Sequence, residues 1–171
     1  VRGAIDGTML RNDIYQFIRL GVFIERSDNT ARHLSSRYNL FIPSENESVE
    51  GYPMLRFEMI LDAVGVMRAY KWVNKGQIEP DRVIKFLLND PTMPRSLIFC
   101  YHDIVRQLTA LENEYGKTYE ALNIAKKIQS DLAITLKETL VHDDIINFTS
   151  SFIFENAQLS KLVEKEFKFN P

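Results

Sequence analysis

The chain of 171 residues has one cysteine, seven glycines, six prolines and a single tryptophan. Each shortage excludes something. A lone cysteine leaves no disulfide framework, and Cys100, inside the apolar run "SLIFCYHDIV", is expected to be a small core residue of a protein kept in the reducing cytoplasm. No run approaches the ~18 apolar residues of a membrane-spanning helix, and no basic start with a small-residue cleavage site marks a signal peptide, so no membrane contact is expected. No cluster of five or more Lys and Arg occurs and the formal net charge is −2, which argues against a basic face for a phosphate backbone and makes nucleic acid a poor partner. Strand-like alternation between hairpin turns is missing too, and with it any glycine-rich phosphate loop that would follow a strand.

What remains is helical periodicity in a chain that is 45% hydrophobic and 26% charged, an ordinary globular balance. Thr8 is a plausible N-cap for a first helix reaching Tyr38, with Leu10, Ile14, Phe17, Leu20, Ile24, Ala31 and Leu34 on one face. Ile42-Pro43 ends it, and "PSENESVEGYP" follows as an acidic loop. A second helix from Pro53 to Asn74 is expected to bury Phe57, Ile60, Leu61, Val64, Met67 and Trp72, with Gly76 closing it. Pro80 opens a short helix that Pro91 stops, and Pro94 opens a longer one running to Gly116. From Thr118 the stripe runs through Leu122, Ala125, Ile128, Leu132, Leu136 and Leu140, and beyond "HDD" through Ile145, Phe148, Phe152 and Leu162. Asp143 or Asp144 either caps a new helix there or marks a bend. The expected fold is a single all-α domain over 1–171, a helical bundle of about five to six helices, several of them long and antiparallel. Gly21 and Gly65 interrupt helical patterns and are expected where a neighbouring helix crosses closely.

One stretch conflicts with a purely apolar core: "FIRLGVFIERSDNTARHL", from Phe17 to Leu34, carries Glu25, Arg26, Asp28 and Arg32 through its middle. On a helical wheel Glu25, Asp28 and Arg32 project into or beside the apolar arc, and Arg26 points away from it. Asp28 and Arg32 stand four apart with the acid first, the favoured order for a pair along a helix. Burial of such charges requires partners on other helices, and Arg95, expected in the first turn of its helix, is the candidate to face Glu25 or Asp28.

No arrangement for catalysis or metal binding emerges from the remaining polar residues. None of His33, His102 or His142 follows a glutamate at the spacing of a di-iron bundle, and Glu138 with His142 makes only one pair. His102 and Asp103 are adjacent on one helix and do not face each other, and Cys100 with His102 does no better as nucleophile and base. Neither a cofactor nor a metal is expected.

The block "GTMLRNDIYQFIRLGVFIERSDNTARHL" resembles the signature helix of the bacterial alpha-E family, named for its Glu-Arg motif, and "VIKFLLNDPTMPRSLIFC" resembles that family's second block. The matching residues are Thr8, Met9, Arg11, Phe17, Leu20, Gly21, Glu25, Arg26, Asp28, Thr30, Ala31 and Arg32, then Pro94, Arg95 and Ser96. Two departures stand out. Val22 replaces the basic residue that usually follows the glycine, and the chain resembles the C-terminal half of members about twice its length. The resemblance implies an accessory role beside ATP-grasp amide ligases and transglutaminase-like proteins in making or modifying peptides. Two readings follow. In one, the chain is a non-catalytic interaction module whose partners are its family's N-terminal half, such a ligase, a transglutaminase-like protein or a second copy of itself, with Arg26 available on the outer face. In the other, it is an enzyme for a carboxylate or amino-acid-like substrate, with Arg32 and Arg95 as anion clamps and Glu25 as base.

Overall fold

A computed structural model of the protein describes residues 2–39, 52–135 and 142–168. The regular elements among these residues are eight helices: α1 (Arg2–Thr8), α2 (Asp13–Asn39), α3 (Tyr52–Val64), α4 (Met67–Val73), α5 (Pro80–Asn89), α6 (Leu97–Tyr115), α7 (Glu120–Thr135) and α8 (His142–Glu166). The all-α class stands, but the count exceeds the five to six expected. Two local interruptions account for the difference.

The first lies before α2. Thr8 ends α1 instead of capping a long helix, and the restart is stabilised by Asn12, whose Oδ1 accepts from the Tyr15 N–H at 3.3 Å. The second is Gly65, whose φ of +76° is a left-handed conformation that a side chain resists. It splits the expected Pro53–Asn74 helix into α3 and α4, while the N–H groups of Gly65 and Val66 bond back to the carbonyls of Asp62 and Leu61. A Cβ at Gly65 would meet nothing within 4 Å, so backbone conformation, not a close helix crossing, selects the glycine. α8 begins at His142, which places Asp143 and Asp144 inside its first turn. The expected stop at Ile42-Pro43, most of the acidic loop, Leu136, Glu138 and Leu140 lie outside the described residues.

Side-chain contacts define the packing directions. Asp13, Arg19 and Thr30 on α2 meet Tyr115, Asp103 and the turn at Arg95 respectively, so α2 and α6 run antiparallel. Phe17 meets Phe167 just beyond α8, and Ile24 meets Asn156, so α2 and α8 are antiparallel as well. Tyr101 against Phe152 and Tyr115 against Phe167 make α6 parallel to α8. With α7 packed on both α6 and α8, the four long helices form a ring, and α3 to α5 form the connection between α2 and α6.

The core contains Leu20, Phe23, Leu34, Ile60, Leu61, Leu97, Ile104 and Leu108, all essentially inaccessible to solvent. Burying each such side chain contributes about 1.5 to 3 kcal/mol, which outweighs the modest helical propensity of the β-branched and aromatic residues among them. Three expected core residues are outside it. Trp72 is 88% exposed because Tyr70 is the residue of α4 that turns inward, and Leu10 and Ile14 are 79% and 56% exposed. The α7 start is capped from a distance: the Glu166 carboxylate accepts from the N–H groups of Glu120 and Ala121 at 2.9 and 3.0 Å.

Candidate functional site

α2 is central to the bundle, with α6, α8 and α3 around it. Its most buried residues are Leu20, Phe23, Ser27, Thr30, Ala31 and Leu34, an arc rotated by about 115° from the one that Leu10, Ile14 and Phe17 would select. That rotation rearranges the charged seam. Glu25, Asp28 and Arg32 occupy one flank of the arc, and Arg19 and Arg26 occupy the other.

The first flank opens onto a groove of about 610 Å³ between α2 and α8. Phe17, Leu20, Ile24 and Val163 supply apolar surface, Glu25 and Asp28 line the α2 wall, and Lys161 and Glu164 line the α8 wall. Gly21 belongs to this groove. A Cβ there would meet no atom within 4 Å, so the close helix crossing expected at Gly21 is absent and the glycine leaves open space instead. Glu25 is exposed, and Asp28 is bound by Arg32 of its own helix, Nε to Oδ2 at 2.6 Å and Nη2 to Oδ1 at 3.2 Å. Arg32 is 60% exposed, which makes this a solvated pair that needs no further partner from another helix. Hydrogen bonding to Asp28, and its charge, raise the Arg32 pKa further.

On the second flank the expectation for Arg26 is reversed. Its guanidinium carbon lies 4.9 Å from the centroid of the buried Phe23 ring, and its charge acts on the buried thiol of Cys100. Arg26 is half-buried, not an outward docking residue. Beside it, Arg19 forms the interior ion pair that sequence reasoning missed. Arg19 Nη2 donates to Asp103 Oδ2 at 3.1 Å and Nη1 to Asp6 Oδ1 at 3.1 Å, joining α1, α2 and α6. Asp103 is 6% exposed and also accepts from Arg106 at 3.0 Å and from Gln107 at 2.7 Å, so its charge is well satisfied. Arg11 strengthens the same corner: its guanidinium donates to the Asp6 carbonyl and lies 4.0 Å from the Tyr15 ring centroid.

The two sequence blocks meet in a way their charges did not suggest. Arg95 precedes the N-cap of α6, and it is the Arg95 carbonyl, not the guanidinium, that binds α2, by accepting from Thr30 Oγ1 at 2.9 Å. Ser96 is the N-cap: its Oγ accepts from the Phe99 N–H at 3.2 Å and donates to the Asp90 carbonyl at 2.6 Å. Thr30 and Ser96 are both fully buried. The expected contact of Arg95 with Glu25 or Asp28 is replaced by this hydroxyl-to-carbonyl bond. Thr30 and Arg32 project about 160° apart around α2, so Arg32 and the Arg95 turn occupy opposite sides of the helix.

Asn156 is the third polar centre and is 1% exposed. Its Nδ2 donates to the Ile24 carbonyl at 3.1 Å, and its Oδ1 accepts from Tyr101 Oη at 2.9 Å. Ser27 Oγ lies within 3.1 Å of the same Oδ1 and 2.9 Å of the Ile24 carbonyl, so its one proton serves either acceptor. These bonds join α2, α6 and α8. Their only sequence signal was a polar residue within an apolar stripe, which does not identify its partner. Burial raises the Tyr101 pKa above the ordinary phenol range and that of the Cys100 thiol to about 12, so both stay protonated near neutrality.

Among the described residues, no group of three or more His, Cys, Asp and Glu is placed to hold a metal ion, and no helix is long and apolar enough to cross a membrane. The family model of Alpha-E, described as a predicted alpha-helical domain with a conserved ER motif, matches residues 1–167, and the chain belongs to that family. No curated protein and no solved structure matches it significantly. The Glu-Arg pair of the motif is Glu25-Arg26. Its two members point to different flanks, the glutamate to the groove and the arginine over Phe23.

Proposed function

We propose that this Alpha-E chain is a non-catalytic helical interaction module that docks onto an ATP-grasp-type amide ligase through the groove between α2 and α8. The observation behind this reading is Gly21. A glycine inside a helix costs about 1 kcal/mol relative to alanine, and here no neighbouring helix approaches closely enough to require it. Its consequence is an open groove beside Glu25 and Asp28. An apolar floor whose walls carry Glu25, Asp28 and Glu164 against the single cation Lys161 suits the apolar face of a partner helix that carries a basic residue along its edge. The ligase class comes from the resemblance of the Glu-Arg helix to a family associated with such enzymes, in systems that make or modify peptides.

The enzymatic alternative has less support. It asks Arg32 and Arg95 to clamp one anion, yet Arg32 is engaged by Asp28 and the Arg95 turn is on the other side of α2.

The test is a binding titration between the purified protein and an ATP-grasp-type ligase of the same organism, using wild type and Gly21→Leu. The variant fills the groove at a position with room for a side chain, so it should keep the melting temperature while weakening binding about tenfold or more. Absence of binding by wild type overturns the proposal, as does binding that Gly21→Leu leaves intact. Capture of the family's N-terminal half, a transglutaminase-like protein or a second copy in place of the ligase would keep the groove and change its occupant.

A further inference from the structure

A second groove, of about 680 Å³, lies on the connection between α2 and α6, where the end of α4 meets α5. Its lining includes three cations, Lys75, Arg82 and Lys85, against the single carboxylate of Asp90. That carboxylate is engaged locally, accepting from the Thr92 N–H and hydroxyl at 2.8 and 2.6 Å. Arg82 is held by Glu79 at 2.8 Å and donates to Gln77 Oε1 at 3.3 Å, which fixes its guanidinium at the groove. Lys75 and Lys85 are exposed, and neither is ion-paired with another of the described residues.

Lys75 is the informative residue. It follows Asn74, the C-cap of α4, and therefore occupies the position where helices commonly end on a left-handed glycine. Its φ is 52°, a conformation unfavourable for a residue with a Cβ, and Gly76 immediately after it is also left-handed. The backbone bonds that close α4, from Asn74 N–H to the Tyr70 carbonyl and from Gly76 N–H to the Lys71 carbonyl, need no lysine side chain. The left-handed turn ends α4, as Lys168 with a φ of 55° does just beyond α8, and it leaves Lys75 among the residues lining a groove that also holds Arg82 and Lys85. Trp72, the only tryptophan of the chain, is 88% exposed one helical turn before Lys75, and its neighbour Val73 lines the groove.

We propose that this groove binds a compact multivalent anion of the phosphate class, with Lys75, Arg82 and Lys85 as its ligands. With Nε held by Glu79 and Nη1 by Gln77, Arg82 offers its Nη2 donors to the anion, and the two exposed ammonium groups act as point charges on the same groove. The site is separate from the α2–α8 groove and stands independently of the function proposed for it.

The test is a titration of the full chain with inorganic pyrophosphate at fixed ionic strength, read by Trp72 fluorescence and by calorimetry. Wild type should bind saturably. Lys75→Gly should weaken binding about fivefold or more while leaving the melting temperature unchanged or higher, because it removes a ligand and relieves the left-handed strain together. Lys85→Ser should weaken binding to a similar degree without altering the fold. A response matched by potassium chloride, or one that survives the double variant Lys75→Gly/Lys85→Ser, overturns the site. So does a Lys75→Gly variant that melts lower and binds normally, because the lysine would then serve the helix end. Citrate binding as tightly as pyrophosphate overturns the phosphate assignment.

Discussion

The two flanks of α2 carry similar chemistry in opposite surroundings. On one, Arg32 and Asp28 form a bidentate pair along a single helix, with the arginine 60% exposed. On the other, Arg19 and Asp103 form a pair between helices at 17% and 6% exposure, supported by Gln107, Arg106 and the Phe23 ring. The difference shows that an arginine–aspartate pair has no fixed weight. In water the pair competes with hydration and salt, whereas in the interior the loss of one partner strands the other. The Glu-Arg motif spans this divide, with Glu25 on the wet flank and Arg26 on the dry one.

The sharpest break between the flanks is chemical access. Cys100 is buried beside Arg26, and its thiol is pushed up to about 12. Alkylation at pH 8 should therefore be about a thousandfold or more slower than at a Gly21→Cys cysteine in the groove, compared in the same protein by mass spectrometry. Comparable rates would mean that the dry flank is open. The same burial governs stability at high pH. The unfolded thiol ionises near its ordinary value while the folded one stays protonated to about 12, so Cys100 favours the fold at neutral pH and that contribution is lost as pH rises through this window. Cys100→Ala should flatten the decline in chemical-denaturation midpoint between about pH 9 and 12.

Next in size is Arg19→Leu. Asp103 would keep Gln107 and the exposed Arg106, so the loss should be about 2 to 4 kcal/mol and little changed by salt, read as a drop in melting temperature of roughly 5 to 15 °C. A shift below one degree would show that the interior pair does not hold the fold.

Gly21→Ala should act in the other direction, raising stability by about 0.5 to 1 kcal/mol, because the added methyl meets nothing and the unfolded chain loses freedom. Destabilisation on chemical denaturation would mean that the groove is tighter than its geometry indicates. Arg32→Ala should have the smallest effect, a loss of about 0.3 to 0.5 kcal/mol at low salt that disappears in molar sodium chloride. A larger, salt-independent loss would make the wet flank resemble the dry one.

The legible part of the molecule was its local part. The stripe from Leu97 to Leu111 was visible because one helix face recurs every three to four residues, and the Asp28–Arg32 pair because it lies within one turn. The interruption at Gly65 was missed because glycine occurs both within helices and at their ends, and the pattern continues across it. The seam was half legible. Its residues were found, but its flanks were exchanged, since Leu10 and Ile14 lie at an exposed end and biased the apparent apolar direction.

The sequence by itself determined that the chain is helical, which residues are available for the core, and that charge runs through the central helix, because all three depend on composition and on spacings within a few turns. Only the tertiary structure decided which charges are buried. Arg19 meets Asp103 across 84 residues and Ser27 meets Asn156 across 129, separations at which no local periodicity carries information. The rotation of α2 between α6 and α8 is set by how the whole ring packs. That rotation turned Glu25 toward an open groove and Arg26 onto a buried ring.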